Sequence, residues 1–171
     1  MPRIFWFLLA GMMAVWLAMN LWTVPTIEEI SGGLRIFDMR FTGYSFDEAQ
    51  AFLAALGEEG AATYLGLQLW LDWIFPVLLG AVLFLGYRWL YPGWPGVVIG
   101  AVSLFYVATD IYENIAVAAM LRAGAEGLTP EMVVTANRWT TLKWGMAVVG
   151  LVMLIVGIVM RLRARRAAAA P

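Results

Sequence analysis

The sequence predicts an all-α fold: a polytopic membrane protein built as a four-transmembrane-helix bundle, with a short extracytoplasmic amphipathic helix between the first and second spans. Composition is the first reason. Hydrophobic residues make up 63% of the chain and charged residues only 13%, with a mean hydropathy of +0.80, which is outside the usual range of a soluble domain. The second is the presence of four apolar stretches, approximately 4–22, 65–87, 97–121 and 139–160. Each is close to the roughly 20 helical residues that cross a hydrocarbon core of about 30 Å. The third is the absence of an internal repeat or domain linker, so residues 1–171 read as a single membrane domain.

The first span opens after Arg3 and could be mistaken for a signal peptide. Its apolar core is as long as a full span, contains Trp16 and Asn20, and lacks a small-residue cleavage pattern. It reads as a retained helix. In the following segment, "GYSFDEAQAFLAALG" places Ser45 three residues before Glu48, a capping box, and Gly57 at a natural left-handed stop. The spacing predicts a helix over 46–56 whose apolar stripe is Phe46, Ala49, Phe52, Leu53 and Leu56.

The second span carries Tyr64, Gln68, Asp72 and Pro76 at four-residue intervals, a single polar stripe. "RWLYPGWPG" then reads as a tight hairpin with interfacial aromatics. In the third span Asp110, Glu113 and Asn114 share one face, extended by Tyr106 one turn away. Thr129 before Pro130 predicts the start of the last helix. That helix brings Thr140 and Lys143, one turn apart, and ends in "RLRARR".

The arginines set an expected orientation, because cytoplasmic flanks of spans collect Lys and Arg. Arg3, Arg88 and the arginines of 161–166 fall on one side, while the segments between spans one and two and between three and four are acidic. Both termini are therefore expected in the cytoplasm. The chain contains no histidine and no cysteine, which removes thiol chemistry, histidine acid–base catalysis and the usual zinc and haem ligands. No metal or other cofactor is expected, and a net charge of −1 does not suggest a nucleic-acid partner.

Energetics require the polar faces to meet. An ionised carboxylate at a helix centre costs about 2.5–3.5 kcal/mol on insertion, while each large apolar residue returns about 0.3–0.6 kcal/mol. The third span, with Asp110 and Glu113, would be marginal in lipid by itself. At 1.5 Å rise per residue, Asp72, Glu113 and Lys143 fall in one layer, with Asp110 about a turn deeper and Asn20 shallower. Lys143 is expected to pair with Asp72 or Glu113, leaving surplus carboxylates. Such pairing can also serve only to fix helix register, and Pro76, Trp70, Trp73 and Trp144 read first as kink and packing residues. The candidate ligand-binding set is Asp72, Asp110, Glu113, Asn114, Lys143, Gln68, Tyr106 and Asn20.

The pattern "GYS…EA…LG…G…Y…D…FP" over 43–76, with "D…EN" at 110–114 and a lysine in the last span, resembles a family of small bacterial four-helix membrane proteins. That resemblance implies a bacterial inner-membrane protein and no particular chemistry. "LDWIFP" and the acidic third span are also similar to the EXPERA group, which includes sterol isomerases and the sigma-2 receptor. That similarity implies a lipid-accessible pocket faced by acidic residues, but the histidine of the isomerase members is missing here. The leading expectation is an outward-facing intramembrane polar pocket for a lipid-like or amphipathic cationic ligand, in contact with membrane lipids. Alternatives are an accessory subunit of a larger membrane complex, a proton-coupled transporter acting as a homo-oligomer, or an enzyme using carboxylate chemistry.

Overall fold

The computed structural model of the protein describes residues 1–168, and every regular element in that range is helical. Four helical runs are long and apolar enough to cross a membrane: Arg3–Ile30, Phe46–Leu90, Trp94–Gly127 and Pro130–Ala168. The first run is α1. The second comprises α2 (Phe46–Thr63), a π-type turn (Tyr64–Gln68) and α3 (Leu69–Leu90). The third and fourth are α4 (Trp94–Gly127) and α5 (Pro130–Ala168).

Local chemistry accounts for the ends. The Ser45 hydroxyl accepts from the Glu48 amide at 3.2 Å, and the Glu48 carboxylate accepts from the Ser45 amide at 2.7 Å, so the capping box is complete. These hydrogen bonds from the Ser45 backbone and side chain hold the Glu48 carboxyl below the usual carboxylate range. Gly57 breaks α2 at φ 63°, but the chain resumes as helix for another turn and a half instead of leaving the bundle. The expected stop is therefore an internal bend. The α3–α4 hairpin turns at Tyr91–Gly93, and the Thr129 hydroxyl accepts from the Met132 amide at 3.4 Å at the start of α5.

The main apolar core lies at one end of the bundle. There Ala49, Phe52, Leu53 and Leu56 of α2 pack with Ile27, Phe37, Tyr64, Val117, Met120, Leu121, Val133 and Ala136. In contrast, the helices toward the arginine-bearing end expose large apolar side chains such as Phe7 (77%), Trp6, Leu104, Phe105, Leu151 and Ile155. Small residues set the closest helix contacts. A Cβ at Gly80 would lie 2.4 Å from Val107, and one at Gly157 would lie 2.8 Å from Tyr91. The hydroxyls of Tyr87 and Tyr91 donate to the carbonyls of Gly150 and Met153, tying α3 to α5.

Packing is unequal around the bundle. α3 lies along α4, α4 along α5 and α1 along α3, whereas no comparable packing joins α1 to α5. A gap is left between these two helices.

Candidate functional site

The polar faces converge on a residue in the connector between α1 and α2. After α1 the chain reverses at Gly32 and Gly33, buries Ile36 and Phe37, and forms a 3-10 turn over Phe37–Met39. Asp38 sits in this turn and is buried. Its Oδ1 accepts from Lys143 Nζ at 3.1 Å and its Oδ2 from the Tyr64 hydroxyl at 2.9 Å. Its backbone carbonyl accepts from the Trp144 indole N–H at 2.9 Å. Burial pushes the Asp38 carboxyl up, but the Lys143 charge and hydrogen bonds from Asp72, Tyr64 and Lys143 outweigh it, leaving the group below its ordinary value.

The connector is held in this position from both sides. The Arg40 guanidinium lies 5.4–5.7 Å from the ring centres of Phe37, Tyr44 and Phe52. The Tyr44 amide donates to Asn137 Oδ1 at 3.0 Å. Gly43 precedes it at φ 86°, where a Cβ would lie 2.3 Å from that same oxygen. The local conformation thus requires glycine twice over.

From Asp38 the network extends to α1, α3, α4 and α5. Lys143 also makes an ion pair with Glu113 Oε2 on α4, without the alignment of a hydrogen bond, and Glu113 Oε1 has no partner among the described residues. The Asp72 carboxyl faces that of Asp38 and accepts from Gln68 Nε2 at 3.0 Å. Gln68 in turn accepts from the Thr23 hydroxyl of α1. Thr23 and Gln68 each close a π-type turn, Met19–Thr23 in α1 and Tyr64–Gln68 before α3, and the two turns touch. Such wide turns are rare and recur at functional sites.

Pro76 gives this network one more member. Proline has no N–H to return to the carbonyl four residues earlier, which orphans the backbone carbonyl of Asp72. Asn114 of α4 donates its side-chain N–H to that carbonyl at 2.8 Å. The kink and the amide are therefore a matched pair.

Against this network lies a cavity of about 240 Å³. It is lined by Trp16, Met19 and Asn20 of α1, Asp38 and Met39 of the connector, Asp72, Phe75 and Leu79 of α3, Tyr106 and Asp110 of α4, and Lys143, Trp144 and Ala147 of α5. Its lining thus includes residues of both α1 and α5, the two helices that do not pack together. A larger depression of about 470 Å³ over the connector holds Arg35, Arg40 and Glu48; Arg35 and Glu48 are exposed, and the half-buried Arg40 is already packed against aromatic rings.

Of the eight residues expected to form a site, Asp72, Asp110, Lys143, Tyr106 and Asn20 line the cavity. Glu113, Asn114 and Gln68 stand behind that lining and hold Lys143 and Asp72 in place. The expected choice of lysine partner between Asp72 and Glu113 resolves to Glu113, with Asp38 as the second partner and Asp72 contacting Asp38 instead. Asp38 was not legible from helical spacing, because a connector has no periodicity. Its only sequence signal is the flanking "RIFDMR", an acid set between large apolar residues. No known protein-family model, no curated protein and no solved structure matches the chain.

Proposed function

We propose that the protein is a multi-pass membrane protein whose cavity binds an amphipathic cation, such as a lipid-like amine, from the outer half of the bilayer. The observation that carries this reading is the cavity between α1 and α5. Three carboxyl groups, Asp38, Asp72 and Asp110, line it together with the single ammonium of Lys143. Lys143 is already engaged by Asp38 and Glu113. Asp110 has no opposite charge of its own, and an unpaired carboxylate removed from water is costly. A cationic head placed beside it supplies the missing charge.

The remaining lining suits the rest of such a ligand. Trp16 and Trp144 belong to the lining, and aromatic faces attract a desolvated cation. Phe75, Leu79 and Ala147 provide apolar surface for an acyl or alkyl chain. The gap between α1 and α5 gives that chain a way out toward lipid. In this orientation α2 and the connector lie outside the membrane and the arginine-bearing end lies in the cytoplasm.

Thermal melting of the purified protein in an uncharged alkyl glycoside, titrated with dodecyltrimethylammonium, tests the reading. At 100 times its Kd a ligand binding only the folded state adds about 2.7 kcal/mol, so a saturable rise in Tm is expected. Asp110→Asn should abolish that rise. No rise in the wild-type protein, or an equal rise in Asp110→Asn, would reject the assignment.

A further inference from the structure

We propose that the opposite end of the bundle carries a second site, a cleft between the end of α3 and the last turns of α5 that binds the phosphate of an anionic phospholipid headgroup. This inference rests on the chain being embedded in a membrane and not on what the cavity near Asp110 binds.

Acidic residues are confined to one end of the bundle, and the other end carries arginines alone. Arg3, Arg88, Arg161, Arg163, Arg165 and Arg166 are six of the eleven basic residues, and none of the twelve Asp and Glu residues lies in 73–109 or beyond 131. Clusters of this kind beside a membrane span attract anionic lipids. A cluster alone would be diffuse, but here one member is fixed. The Arg161 guanidinium lies 3.7 Å from the centre of the Trp89 ring and donates through Nη1 to the Trp89 carbonyl. Its Nε is buried and has no partner among the described residues.

Arg161 and Arg165, one turn apart, line the same cleft of about 410 Å³. Leu90, Pro92, Met160, Ala164 and Ala168 complete it with apolar surface. A planar guanidinium held in place, a second, exposed arginine and an apolar floor match a phosphodiester with the start of its acyl chains. Arg163 and Arg166 carry the same charge but do not line the cleft. That difference separates a site from a general basic patch.

The full-length protein in an uncharged detergent would be analysed by native mass spectrometry for retained phosphatidylglycerol, phosphatidylcholine and inorganic phosphate. Phosphatidylglycerol should be retained about tenfold or more over phosphatidylcholine, and Arg161→Gln and Arg165→Gln should each lower its retention about tenfold, the scale of one lost charge-assisted hydrogen bond. The Arg163→Gln/Arg166→Gln double variant should stay within about twofold of wild type, since exposed charges off the site contribute little. Because Arg161 also ties α5 to Trp89, Arg165→Gln carries the test if Arg161→Gln does not fold. Equal retention of the two lipids, equal loss in the double variant, or occupancy by inorganic phosphate alone at the same concentration would overturn the lipid site. Release of the protein from membranes by alkaline carbonate would instead reject the membrane reading itself.

Discussion

The carboxyl groups of Asp38, Asp72, Asp110 and Glu113 outnumber the one ammonium beside them, so each substitution at this site has a sign that depends on which charge it leaves unpaired. Lys143→Met strands two buried partners, and breaking a buried pair from one side costs about 3–5 kcal/mol. A large fall in the detergent melting temperature is expected. Adding Glu113→Gln should recover more of it than adding Asp72→Asn, because Glu113 contacts the ammonium and Asp72 does not. Equal rescue by both would dissolve the pairing. Asp38 provides a pH signature. Its folded-state pKa is depressed by Lys143 and its hydrogen bonds, so its contribution is present above the unfolded value of about 3.9 and is lost as pH falls through the lower folded value. Wild type should therefore exceed Asp38→Asn in melting temperature at neutral pH, and the gap should close below about pH 4; a gap independent of pH would show that Asp38 acts by packing and not by charge.

At the scale of elements, α3 and α4 are coupled by a defect and its repair. Asn114→Leu should leave the Asp72 carbonyl unsatisfied and cost about 1–3 kcal/mol. In a Pro76→Ala background the restored backbone N–H can serve that carbonyl, so the same Asn114→Leu change should cost clearly less. A double-mutant cycle on melting free energies reads the coupling directly, and additive effects would mean that Asn114 stabilises in some other way. The connector can be tested against a glycine of α2. Gly57→Ala places a Cβ in open space but in a backbone region essentially restricted to glycine, and should cost only that conformational penalty of about 1–3 kcal/mol. Gly43→Ala adds a collision with Asn137 Oδ1 and should cost more, displacing the loop that carries Asp38. Melting curves of the two variants, compared side by side, decide this.

For the whole molecule, the two ends differ in both packing and charge. The end containing α2 holds the apolar core and all the carboxylates, and the other end holds arginines and exposed apolar surface. On the proposed membrane reading, this asymmetry predicts an orientation with the arginines in the cytoplasm. Single cysteines at the exposed positions Glu58 and Ala167, labelled with an impermeant reagent in intact cells, report it. Labelling at Glu58 and not at Ala167 is expected, and the reverse pattern would invert the proposed topology and place the cavity opening on the cytoplasmic side.

The amino-acid sequence by itself determined four long apolar helices, the capped start of α2, the hairpin at Tyr91–Gly93 and the polar faces of each span, because all of these are local or periodic signals. Asp72, Asp110, Glu113 and Lys143 could be placed on inward faces from spacing and rise alone. What only the tertiary structure decided is how those faces are paired. Asp38 enters from a connector with no period to read, Asn114 reaches a carbonyl that Pro76 orphans on another helix, and α1 and α5 part to leave a cavity between them. The reason is physical: helical periodicity fixes the direction of a side chain around its own axis, whereas partner choice among several carboxyl groups depends on the rotation, tilt and separation of different helices, and these are set by packing among residues far apart in the chain.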